Sequence, residues 1–148
     1  MIVKSYSEKV REAYQCREVL ELLAIRLAIG NIDDEGILKL EELLEKTKQV
    51  NTLTEIVNIN SKIHNIIVEY SGNKKLKQLL DSVSDIILHD RNITAFNPDR
   101  FEKIHSEHIE IIKALKERNV EKAEAAMKIH IKNGLKYIIE QQNNRVKK

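Results

Sequence analysis

A chain of 148 residues that is 42% hydrophobic and 32% charged is long enough for one domain with its own core. Its net charge of +2, from interleaved signs, argues against a dedicated nucleic-acid surface, which needs a basic patch or stripe. A lone cysteine, Cys16, excludes a disulfide framework and a cysteine-based zinc site; no apolar run reaches the length of a membrane span, the N-terminus lacks a signal-peptide core, and a cytoplasmic home is expected.

One proline and four glycines favour long helices over a turn-rich β fold, and six helices are predicted. The first runs from about Tyr6 to Ile29 and stops at Gly30-Asn31, a common helix C-terminal signal. Asp33 can cap the second, which has Asp34 and Glu35 in its first turn and ends near Gln49. Asn51 or Thr52 opens the third, which reaches about Tyr70 before "SGN", residues 71–73. The fourth covers about Lys74 to His89. "TAFNPDR" is a loop, and Pro98 suits the first turn of the fifth helix, which ends near Glu117. Asn119 can cap the sixth, which runs to about Gln142. Short connections imply antiparallel neighbours, so the expected fold class is an all-α antiparallel bundle forming a single domain over residues 1–148.

Helix one is apolar over most of its circumference: Val19, Leu22, Leu23, Ile25, Leu27 and Ile29 are spread widely at about 100° per residue. More than one neighbour must cover it, and a second subunit is one candidate. Its remaining side, with Ala13, Arg17, Glu21, Ala24 and Ala28, has the small and charged residues of a cavity wall.

The histidines carry the chemistry. His64, His108 and His130 fall on three different helices, each beside an apolar stripe, and Asn60 precedes His64 by one turn. A single inward histidine is ordinarily a core residue with satisfied hydrogen bonds. Burying three, with an amide beside one of them and no partners, would cost about 1–3 kcal/mol for each group. A shared divalent metal would satisfy them together. Within "HSEH", the pair His105 and His108 with Glu107 is a rival ligand set, but Glu107 is read as pointing away from the stripe. His108 is preferred, with His105 behind it or at the surface. His89 reads as a charge at a helix C-terminus.

Three stretches, "YQCREVLELLAIRLAI", "NSKIHNIIVEYSGNKKL" and "EHIEIIKALKERNVEKAEAAMKIHI", together resemble the FadR-type C-terminal domain of GntR-family bacterial transcription regulators. Arg17, Leu20 and Glu21 match its Arg-x-x-Leu-Glu helix. Asn60 and His64 match its Asp/Asn-x-x-x-His step, and Met127 and His130 its Ala-x-x-x-Met-x-x-His close. The resemblance implies a dimeric bundle, closest to the six-helix VanR-like branch, that binds a small effector, commonly an organic acid. It implies a divalent metal, zinc or nickel being most compatible with imidazole, held by Asn60, His64, His108 and His130. Arg17 and Glu21 are the candidate effector-binding residues. DNA binding would belong to an N-terminal winged helix-turn-helix domain that these residues do not include, so the chain reads as part of a longer regulator.

Asn60 stands where many members of that family have aspartate. Three neutral imidazoles and an amide bring no charge to a divalent ion, so the expected site is positive and attracts a carboxylate. Two further readings remain open at the level of sequence. One is a metalloenzyme, since three histidines with an open position can activate water, although no well-placed general base stands out. The other is a purely structural dimerisation bundle, with the inward histidines as core.

Overall fold

The computed structural model describes residues 5–83, 85–86, 89 and 97–146, and the regular structure among them is helical. Six helices follow one another: α1 (Tyr6–Ile29), α2 (Asp34–Thr47), α3 (Leu53–Tyr70), α4 (Lys74–Asp81), α5 (Pro98–Lys116) and α6 (Val120–Val146). The all-α bundle expected from the sequence is the fold observed. No helix among the described residues is long and apolar enough to cross a membrane.

The boundaries follow the local chemistry. Ser5 and Glu8 form a reciprocal capping box at the start of α1, which satisfies two otherwise orphaned N–H groups. Asp33, Thr52, Asn73 and Asn97 each accept a backbone N–H at the start of α2, α3, α4 and α5, and Asn119 accepts from Lys122 at the start of α6. Pro98 occupies the first turn of α5. Gly72 takes the left-handed conformation at φ 67°, which glycine adopts without steric cost. Gly30 ends α1 in a right-handed conformation instead.

Two boundaries differ from expectation. Helix α4 stops at Asp81, short of His89. The Ser82 hydroxyl bonds back to the Leu79 carbonyl at 2.6 Å, a local bond that competes with helix continuation. Residues 85, 86 and 89 are again helical; of the predicted "TAFNPDR" loop, residues 94–96 lie outside the described residues, and residues 98–100 already belong to α5. At the other end, α6 continues past Gln142 to Val146.

The core joins all the long helices through Ile25, Ala28, Leu40, Ile63, Ile67, Ile111, Leu115, Met127 and Ile131. The chief neighbours of α1 are α6 and α3 rather than α2, the next helix in the chain; α5 packs on α6, and α2 on α3 and α5. The side of α1 that faces inward holds Ala13, Arg17, Glu21, Ala24 and Ala28. Small side chains there let α3 and α6 approach closely. Val19 and Leu23 are left outward, at 66% and 37% exposure. At the start of α2, Gly36 leaves room for the Tyr70 ring: a Cβ there would fall 2.6 Å from the ring carbons. The Tyr70 hydroxyl donates to Asp33 at 2.9 Å, tying the end of α3 to the cap of α2.

Candidate metal centre

Helices α3, α5 and α6 bring His64, His108 and His130 together in the interior, all three buried. One ring nitrogen from each lies within 4.8 Å of the others, and the ring centroids are 4.7–5.3 Å apart. Asn60 is buried one turn before His64 on α3. His105 is not part of the group; its Nδ1 lies 3.1 Å from the Thr47 hydroxyl, and burial and nearby Lys48 lower its pKa. His89 sits edge-on to Tyr6.

Two carboxylates orient two of the rings. Glu21 Oε1 lies 2.7 Å from His64 Nδ1, and its other oxygen accepts from Arg17 Nε. Glu107 Oε1 lies 2.7 Å from His130 Nδ1. Arg100 donates to both Glu107 oxygens at 3.1 Å, and the Asn133 amide donates to one of them at 2.8 Å. Arg17, Glu21 and Arg100 are each about 4% exposed. The interior thus contains two arms, Arg17–Glu21–His64 and Arg100–Glu107–His130, that meet at the imidazoles.

The charge states follow from surroundings. Burial pushes the Glu107 carboxyl up, but hydrogen bonds from His130 and Arg100 outweigh it and hold the group below its ordinary value. Burial pushes His130 down more strongly than Glu107 raises it. A neutral ring beside an ionised carboxylate donates through Nδ1 and keeps a lone pair on Nε2.

The same tautomer on His64 has a consequence. The His64 and His130 Nε2 atoms are 3.1 Å apart. With both Nδ1 atoms donating to carboxylates, two lone pairs face each other. A shared proton or a metal cation relieves that repulsion. Two imidazole nitrogens bound at about 2.0–2.1 Å with tetrahedral angles lie about 3.3–3.4 Å apart, close to the observed separation. The third imidazole, within 4.8 Å, has no use for a proton shared by the other two but completes a three-nitrogen donor set. A carboxylate behind a metal-binding histidine is the common means of fixing its tautomer. The donor set therefore fits a divalent cation.

The histidines singled out in the sequence converge, and Arg17 and Glu21 are buried beside them. Glu21 is engaged by His64 and Arg17, so it stands behind a ring. Glu107 corrects the sequence reading: it does not point away but reaches across to α6. Arg100 and Asn133 were missed, although Arg100 and Glu107 lie two turns apart on one helix side and His130 and Asn133 one turn apart. A surface groove of about 480 Å³ between α5 and α6 also reaches Glu107, between Glu110, Lys113, Lys122 and Ile129, and none of the three histidines lines it.

The described residues thus form an all-α bundle in which histidines from three helices are grouped around a common point, and the comparisons with known proteins identify its family. The FCD domain model matches residues 12–133, and the chain belongs to the FCD domain family. It is 34% identical over 142 residues, 91% of its length, to an uncharacterised HTH-type transcriptional regulator, YdhC, of Bacillus subtilis (strain 168), and it spans 63% of that protein. Its fold is similar to that of E. coli McbR/YncC, with a TM-score of 0.84 at 20% identity over 95% of this chain and 73% of the other. It is also similar to a GntR-family transcriptional regulator from Pseudomonas syringae pv. tomato str. DC3000, with a TM-score of 0.78 at 18% identity over 97% and 62% of the two chains. The sequence resemblance to GntR-type regulators and the expectation of a non-enzyme are both in line with these relatives.

Proposed function

We propose that this chain is the ligand-sensing and dimerisation domain of a GntR-type transcription regulator, and that it binds a small organic acid at a divalent metal held by His64, His108, His130 and Asn60. The observation that carries this reading is the 3.1 Å approach of two Nε2 atoms whose opposite ring nitrogens both face carboxylates. Zinc and nickel both accept imidazole ligands and suit this donor set. The bound ion supplies a Lewis-acidic position for a carboxylate.

The chain's own residues set the charge of that position. Glu21 and Glu107 each have an arginine partner, Arg17 and Arg100. Each carboxylate is therefore offset locally, and the neutral imidazoles and the Asn60 amide leave a divalent ion's charge uncompensated. An anion is the complementary ligand. Arg17, packed over the Tyr14 ring and next to Glu21, is the residue on α1 through which an acid would be felt.

Signalling rests on two arrangements of a dimer with different ligand affinity. The outward Val19 and Leu23 on α1 and Leu79 on α4 supply apolar surface for a second copy. A coupling of about 1–3 kcal/mol would change DNA affinity about 5–150-fold, through a winged helix-turn-helix domain preceding this one, in the cytoplasm. Elemental analysis and native mass spectrometry of protein purified without chelator test the reading. The expected species is a dimer with one divalent ion per chain and a bound anion; a metal-free protein that takes up neither zinc nor nickel would refute it.

A further inference from the structure

We infer that Glu107 is the positioning residue of this centre. Clamped by Arg100 and Asn133, it locks His130 in the Nδ1–H tautomer, so that α5 both contributes His108 and orients the ligand on α6. This rests on the reading of the three histidines as a cation site.

Glu107 is held from two helices. Arg100 grips its carboxylate by both Nη atoms at 3.1 Å, the two-point geometry that fixes the carboxylate plane. Arg100 is itself pinned. Its backbone N–H bonds to Asn97 in the cap of α5, its guanidinium lies over the Tyr137 ring, and Gly134 lets it lie close to α6. Asn133 adds a third donor from α6 itself. With its remaining acceptor capacity directed at His130 Nδ1 at 2.7 Å, Glu107 can neither rotate away nor accept from the other ring nitrogen. The Nε2 lone pair of His130 must then face His64 and His108.

Glu107→Gln preserves shape but replaces one acceptor oxygen with a donor, in conflict with either Arg100 or His130. In the metal-free protein, imidazole ¹⁵N NMR is expected to show His130 as the Nδ1–H tautomer in the wild type and a mixture with the Nε2–H form in the variant. Zinc affinity, measured by competition with a chromophoric chelator, is expected to fall about 10–100-fold. Asn133→Ala, at an exposed position, removes one donor without disturbing the core. It is expected to move both readouts the same way by less, and it carries the test should Glu107→Gln not fold. A His130 tautomer and a zinc affinity unchanged in these variants would overturn the inference. Should the wild type take no zinc, the metal reading fails, and the tautomer comparison alone decides the role of Glu107.

Discussion

Zinc added to chelator-treated protein is expected to stabilise the bundle, because three chain segments distant in sequence would be tied to one ion. Ligand present at about a hundred times its dissociation constant adds about 2.7 kcal/mol to stability. For a domain of this size each kcal/mol is worth about 2–4 °C, so the melting temperature should rise by about 5–10 °C. His108→Ala removes the one ligand supplied by α5. That ring is 2% exposed, so its loss also leaves a cavity, and the metal-free variant should be less stable by about 2 kcal/mol, the low end for large buried side chains. The low end applies because deleting a buried imidazole also removes the cost of desolvating it. Thermal melts followed by circular dichroism, with and without zinc, separate the two effects. The wild type should show the zinc-dependent rise, and the variant should start lower and show almost none. A rise of equal size in His108→Ala would mean that zinc binds elsewhere, and the convergence of the three rings would then be core packing.

Three other outcomes are expected. Asn60→Asp should raise zinc affinity on the order of tenfold by adding a negative ligand and weaken binding of an acidic effector, both measurable by calorimetry. Gly36→Ala should destabilise the protein by about 1–3 kcal/mol in urea unfolding, because its Cβ meets the Tyr70 ring in packed surroundings. The Asp33 carboxyl is held below its ordinary 3.8 by the Gly36 N–H and then by the Tyr70 hydroxyl. Its ionised form is favoured on folding, so its contribution is fully present above the unfolded value and disappears as pH falls through the lower folded value. Asp33→Asn keeps a capping side chain without that titration, and the difference in melting temperature between it and the wild type should shrink below pH 3.8.

The helices, their caps and the inward histidines were legible because they depend on near neighbours in the chain. Asp33 before α2, Thr52 before α3 and Asn119 before α6 announce helix starts through side chains that reach only three residues along the chain. His64 and Asn60 share a face because the helix repeat places them there. Glu107 was misread for the complementary reason: taken on its own helix it lies off the apolar stripe and reads as outward, and only the position of α6 turns that flank into interior.

The amino-acid order therefore settled the all-α class, most of the helix ends and the set of imidazoles that face inward, since backbone hydrogen bonding and a 3.6-residue repeat act locally. Packing of α1, α3, α5 and α6 decided which polar groups meet. It set Glu21 behind His64, Glu107 behind His130, and two Nε2 atoms 3.1 Å apart. Those partners are separated by 43, 23 and 66 positions in the chain, and no local periodicity fixes a distance across such a gap.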